Sequence, residues 1–149
     1  MDIYDISFFL STMWVGPFWF FMLVYPQSER TEMLMKGPWF FVGPIAIWFA
    51  ITVANPSGLV ELFQDMANPE KGLTLDALAT LLATPVGASA AWAHMVAGDI
   101  FVTRWIWKKN QEMNTNEWIA RASIFFGVML MPVGIAIQMF LGKIEAKSD

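Results

Sequence analysis

The chain has no cysteine, a single histidine and few charges, which make up 15% of its 149 residues. Without cysteine there is no disulfide, no thiolate nucleophile and no Cys-ligated zinc or iron–sulfur centre. With one histidine, a zinc site within one chain would have to rest on carboxylates, so no metal site is expected. The nine lysines and arginines, in a chain of net charge −4, are too scattered for a nucleic-acid surface. A soluble domain of this length carries nearer a quarter charged residues.

What is present is apolar and aromatic. Hydrophobic residues make up 56% of the chain and aromatic residues 15%, and they fall in long blocks rather than at regular amphipathic spacing. This predicts an all-α integral membrane protein, one domain over residues 1–149. The start, Met1-Asp2-Ile3-Tyr4-Asp5, is acidic and lacks the positive region of a secretory signal, so it reads as the approach to a retained first span.

Four spans are expected, at about 6–25, 37–54, 86–107 and 118–142. The first two carry Gly16-Pro17 and Gly43-Pro44, which predict kinks that neighbouring helices must accommodate. Between spans two and three, residues 57–83 read as a short amphipathic cap at the membrane surface. Pro85 suits the first turn of span three. Basic residues near the span ends cluster in the 26–36 and 108–117 loops. That predicts both termini on the periplasmic or lumenal side, in a bacterial inner or photosynthetic membrane or a thylakoid.

The third span holds the chemistry. Its first half is rich in Gly, Ala and Ser, which allow close helix approach in lipid. It also contains His94, Asp99 and Arg104. Ionisable groups at membrane depth are costly and are functional candidates by default. His94 and Asp99 are five residues apart, about 140° around a helix, so they do not bond to each other. Each needs a partner elsewhere, and Gln138, Arg121, Asn55 and Ser11 are the candidates. His94 is open to three roles: an interhelical hydrogen bond, a pigment ligand through its imidazole, or contact with substrate. Asp99 is either a structural partner of a basic group or a proton donor. Arg104 reads as an interfacial arginine snorkelling toward water.

Trp92-Ala93-His94, Asp99-Ile100-Phe101-Val102 and Arg104-Trp105-Ile106, followed by Phe126-Gly127, Pro132 and Gly134, resemble the signature of the neoxanthin-synthase-like family, the abscisic-acid-deficient type of four-helix membrane protein. The resemblance is strongest over about 80–141; the first two spans match by length and hydrophobicity. Gly98 departs from it, since a bulkier residue is expected before the aspartate, and predicts a wider pocket. The resemblance implies a carotenoid-making host and an isomerase-type opening of a carotenoid epoxide to an allene. That chemistry requires no cofactor, only an acid and a base. Asp99 and His94 are then the catalytic candidates, and His94, Trp92 and Trp105 the candidates for contact with a bound carotenoid or chlorophyll. The rival expectation is a non-catalytic pigment-binding or scaffold subunit of a photosynthetic complex. A transporter fits less well, because few polar groups line a path and no inverted repeat is evident.

Overall fold

A computed structural model describes residues 2–57 and 74–145, with Val60, Gln64 and Ala67 between them, and side chains as far as Leu141. Seven helices are described: α1 Ile3–Val24, α2 Glu29–Lys36, α3 Trp39–Ala54, α4 Leu75–Leu82, α5 Pro85–Glu112, α6 Glu117–Met129 and α7 Met131–Glu145. The amphipathic segment expected over 57–66 lies largely outside the described residues.

The all-helical membrane architecture is as expected, but the number of crossings differs. α1 is apolar and long enough to cross, and so is the run Glu29–Ala54 formed by α2 and α3. Both helices run on through their internal prolines, Pro17 and Pro44. Gly43 gives one physical reason for the second Gly-Pro pair: a side chain there would collide with the indole of Trp14. A third candidate crossing is the bent pair of α4 and α5, which is long and apolar enough only when the two are taken together; α5 extends to Glu112, five residues beyond its predicted end.

Cross-helix hydrogen bonds set the arrangement. Ser89 Oγ donates to the Tyr4 carbonyl (2.9 Å), Trp92 Nε1 to Thr12 Oγ1 (2.9 Å) and Trp107 Nε1 to the Pro26 carbonyl (2.9 Å). Paired positions thus advance together along α1 and α5, so these two helices run parallel. α3 runs the other way: Tyr4 Oη donates to Asn55 Oδ1 (3.3 Å), and Trp14 Nε1 to the Trp39 carbonyl (2.8 Å).

The predicted fourth span is not one helix. The chain breaks at Leu130, and α7 folds back along α6. A side chain at Gly134 would meet the backbone of Gly127 and Ser123. Farther along α7, Gln138 Nε2 reaches Met113 Sδ (3.5 Å), at the far end of α5. Pro132 lacks the N–H needed to carry a straight helix past Leu130. The freed backbone groups are satisfied locally: Leu130 N–H donates to Phe126, and the N–H groups of Val133 and Gly134 donate to Leu130. Thr103 lies against Gly127, and three further residues reach the tip at Leu130. The hairpin therefore stops about level with Ile100, near the midpoint of α5. Residue 145 consequently lies at the same end of the bundle as the 25–28 and 113–116 turns. Residue 2 lies at the opposite end. This corrects the expectation that both termini share a side.

α4 meets α5 at 97°, as a surface cap would. It has no buried residue, and Leu75 is 83% exposed, so it is a connector lying beside the bundle rather than a lid over it. Of the small residues in α5, Gly87, Ser89, Ala93 and Ala97 are buried as expected, but Gly98 is not. A side chain at Gly98 would meet nothing within 4 Å. The predicted widening therefore enlarges no enclosed pocket.

Two measurements check this arrangement. Because the protein has no cysteine of its own, single cysteines can be placed freely. Gln27→Cys and Lys143→Cys are expected to react with a membrane-impermeant maleimide from one side, and Asp76→Cys from the other. Labelling of Lys143→Cys together with Asp76→Cys would restore the straight fourth span. Thermal melting in detergent separates the glycines. Gly134→Ala overpacks the hairpin and is expected to destabilise it by about 1–3 kcal/mol. Gly98→Ala is expected to be neutral, or to stabilise by up to about 1 kcal/mol through helix propensity.

Candidate functional site

α5 presents two different surfaces on its two sides. On one side, His94, Gly98, Phe101, Trp105 and Lys108 form an exposed stripe at the i, i+4, i+7, i+11, i+14 spacing of one helix face. The His94 ring lies 6.4 Å from that of Trp48 on α3, tilted by 51°. Nearby, Phe101 packs edge-on against Phe41 at 5.8 Å. The histidine thus faces outward in an aromatic setting instead of linking helices in the core.

Asp99 lies on the other side. It is half-buried, one turn before Thr103, which is fully buried. Thr103 Oγ1 donates to the Asp99 carbonyl (2.7 Å), while among the described residues no hydrogen bond reaches the Asp99 carboxyl. Its level on α5 is that of the hairpin tip. Below that tip α6 and α7 no longer cover α5, and the surface continues through Met95, 54% exposed, to Trp92. The Trp92 ring is tilted against Phe8 of α1 at 4.8 Å, and its N–H is committed to Thr12. This face of α5 is thus left uncovered beneath the hairpin, with the Asp99 carboxyl level with its tip and the Trp92 and Phe8 rings farther along.

The structure does not bring His94 and Asp99 together. Their side chains leave opposite sides of one helix and end about 10 Å or more apart, too far to touch one ring. Nor are they joined to the expected partners. Ser11 donates to the Phe8 carbonyl, Asn55 pairs with Tyr4 and Ile51, Arg121 with Glu117, and Gln138 with Met113. Among the described residues no group of three His, Asp or Glu side chains gathers as a metal site would require.

Arg104, expected as an interfacial arginine, is tied to another helix. Its Nε donates to the Met35 carbonyl (2.7 Å), and its guanidinium lies 5.1 Å from the centre of the Phe40 ring. Met35 is in the last turn of α2, where carbonyls lack intrahelical donors and the helix end is electronegative. Arg104 therefore caps α2 and pins it to α5. Trp105, on the exposed stripe, is 40% exposed.

The region around the 113–116 turn also holds groups that the sequence reading placed in a loop. Asn110 is on α5 and only 4% exposed. Its periodicity with buried Thr103, Ile106 and Trp107 was the available signal.

The sequence model of the ABA DEFICIENT 4-like family matches residues 6–137, which is most of the chain and includes α5, α6 and the first half of α7. The chain belongs to that family. It is 26% identical over 139 residues to Protein ABA DEFICIENT 4, chloroplastic, of Arabidopsis thaliana, covering 91% of this chain and 60% of that protein. The chain thus spans about three fifths of that relative's length. No solved structure matches.

Arg104 gives a direct test of how α2 is held. Lysine cannot reproduce a planar guanidinium that bonds a carbonyl and stacks on a ring at once. Arg104→Lys is expected to lower stability by about 1–2 kcal/mol, and to raise the protease sensitivity of the 26–38 segment more than that of the 113–116 turn. Equal sensitivity in the two segments would show that the arginine does not hold α2.

Proposed function

We propose that this protein is a carotenoid-modifying membrane enzyme that opens an epoxide end group, with Asp99 as the acid–base residue. The observation that carries the proposal is the Asp99 carboxyl: it lies at mid-bundle depth, half-buried, without a hydrogen-bond partner among the described residues, beneath a hairpin that leaves it approachable from the lipid. Membership of the ABA DEFICIENT 4-like family supports the same reading, since the resemblance implies conversion of a carotenoid epoxide to an allene.

The chemistry is an isomerisation, so the proton inventory closes within the site. A carboxylic acid protonates the epoxide oxygen, and the ring C–O bond breaks to leave an alcohol. The carboxylate so formed removes the proton from the adjacent polyene carbon. The C–H electron pair becomes the second double bond of the allene, and the acid is regenerated. One carboxyl suffices, which accommodates the separation of Asp99 from His94. Trp92 and Phe8 provide a flat apolar wall for the polyene. The reaction draws no redox equivalent and no metal into its balance.

A second reading rests on His94. An imidazole exposed on the lipid-facing side beside Trp48 suits contact with a flat pigment, either alongside a carotenoid or as ligand to a metal-centred macrocycle such as chlorophyll. In that case the protein is a pigment-binding subunit of a photosynthetic complex. The orientation also belongs here. With α7 folded back, Lys143 joins Arg30, Lys36, Arg104, Lys108, Lys109 and Arg121 at one end of the bundle, and the positive-inside tendency places that end in the cytoplasm or stroma.

Expression in carotenoid-producing cells, with chromatography of the extracted carotenoids, tests the proposal. Asp99→Asn is expected to reduce the isomerised product by about 100-fold or more, the usual contribution of an acid–base group, with helical content unchanged. His94→Ala is expected to retain product. Undiminished product in Asp99→Asn would reject the proposal. Loss of bound pigment in His94→Ala, with no product from the unaltered protein, would establish the pigment subunit instead.

A further inference from the structure

The far half of α5 carries positive charge that the protein itself leaves unmatched. Beside the 25–28 turn, α2 and the last turns of α5 border an open cleft of about 910 Å³, and Lys36, Arg104 and Lys108 are on its wall. Their depth follows from the hairpin. Asp99 is level with its tip, near the midpoint of α5. Lys108, nine residues on, is about 13 Å farther along the axis. That is close to the edge of a hydrocarbon core about 30 Å thick, and Arg104 is one turn deeper.

The local fold brings the three cations together. Arg104 Nε donates to the Met35 carbonyl (2.7 Å), and Met35 is also on the wall. The head of the arginine, not only its stem, is therefore at the cleft. Lys36 follows Met35 directly, so its Cα lies within about 6 Å of Arg104 Nε. Lys108 is one turn along α5 from Arg104, about 6 Å away. The Met35 carbonyl occupies Nε alone. Among the described residues Nη1 and Nη2 have no hydrogen-bond partner, and neither is sealed from water.

The charge balance points to an anion. Among the described residues, ion pairs join Lys109 to Glu112 and Arg121 to Glu117, and none involves Lys36, Arg104 or Lys108. The carbonyl end of α2 offsets about half a charge, and the Phe40 ring adds a weaker attraction. Three carboxylates are on the same wall. Glu112 is taken by Lys109. Glu29 and Glu32 are in the first turn of α2, at its electropositive end, about 10 Å and 6 Å from Lys36 along the axis. An unmatched cation inside the hydrocarbon core is costly, and one anion seated among the three serves them all. The two free nitrogens of a planar guanidinium match two oxygens of a phosphodiester.

The surface below the cleft indicates where that group comes from. Lys108 ends the exposed stripe of His94, Gly98, Phe101 and Trp105. Gly98 leaves a gap in this row, since a side chain there would meet nothing within 4 Å. An acyl chain descending from the cleft fits along it. We propose that the cleft between α2 and α5 binds the phosphodiester headgroup of an anionic phospholipid, with an acyl chain along this stripe. The proposal does not depend on the reaction assigned to Asp99, and Asp99→Asn is expected to leave lipid binding unchanged.

Native mass spectrometry of the detergent-solubilised full chain tests it, with phosphatidylglycerol and phosphatidylcholine of identical acyl chains as probes. Both contain a phosphodiester, but only phosphatidylglycerol is anionic, and it is expected to be retained preferentially. Lys36→Gln combined with Lys108→Gln is expected to reduce that preference about 10-fold or more. Melting should not change, because neither lysine bonds to the protein among the described residues. Arg30→Gln combined with Arg121→Gln removes the same charge at the same end of the bundle, outside the cleft, and is expected to keep the preference. Equal retention of the two lipids, or an equal loss of preference in both double variants, would overturn the proposal. So would displacement of phosphatidylglycerol by an equal concentration of glycerol 3-phosphate, which would make a soluble phosphate the occupant.

Discussion

In a medium without water, every buried donor must find its acceptor inside the protein, and here the indole N–H groups meet that constraint. Trp14, Trp19, Trp92 and Trp107 each donate across to another element: to Trp39, Ile124, Thr12 and Pro26. Each such bond contributes only about 0.6–2 kcal/mol, but each also fixes a register. Together they set α1 against α3, α5 and the hairpin at defined heights, with Pro26 receiving both Trp107 and Gln111. Much of what looks in the sequence like aromatic filling is this set of directed bonds. The remaining rings, such as Phe9 and Phe20, about half exposed, are left to lipid.

Close backbone approach completes the frame. Buried Ala93 and Ala97 bring α5 near its neighbours, and Gly127 receives Thr103. Gly134 lets the two arms of the hairpin touch. These positions tolerate no added volume, whereas Gly98 faces open space. A glycine in a membrane helix is thus not in itself a sign of contact; its register against the buried stripe decides.

The first two crossings were legible because hydrophobic run length is a direct reading of bilayer thickness. α5 was legible down to its buried small residues. The hairpin was not, because a run of apolar residues reads alike whether it crosses or doubles back. Pro132 was visible, but a proline is equally compatible with a kink. The contacts of Gly134 with the Gly127 and Ser123 backbone and of Gln138 with Met113 decide between them. At the site, residue type marked His94 and Asp99, and spacing correctly kept them apart. What spacing on one helix cannot supply is which neighbour covers each face, and so Asn110 was assigned to a loop although it is a buried helix residue. The partner of Arg104 is hidden for a related reason: it is a helix-end carbonyl 69 residues away in sequence, and backbone acceptors leave no trace in residue identity.

The hairpin also makes the two halves of the bilayer unequal. Because it reaches only to the level of Ile100, α5 is flanked by protein in one leaflet and open to acyl chains in the other. A lipid-soluble molecule dissolved in the open leaflet meets Asp99 by lateral diffusion, without passing through water or crossing the midplane. The same molecule in the opposite leaflet meets α6 and α7 instead. The depth of a single turn thus sorts what approaches the carboxyl by the leaflet it comes from before its shape is tested.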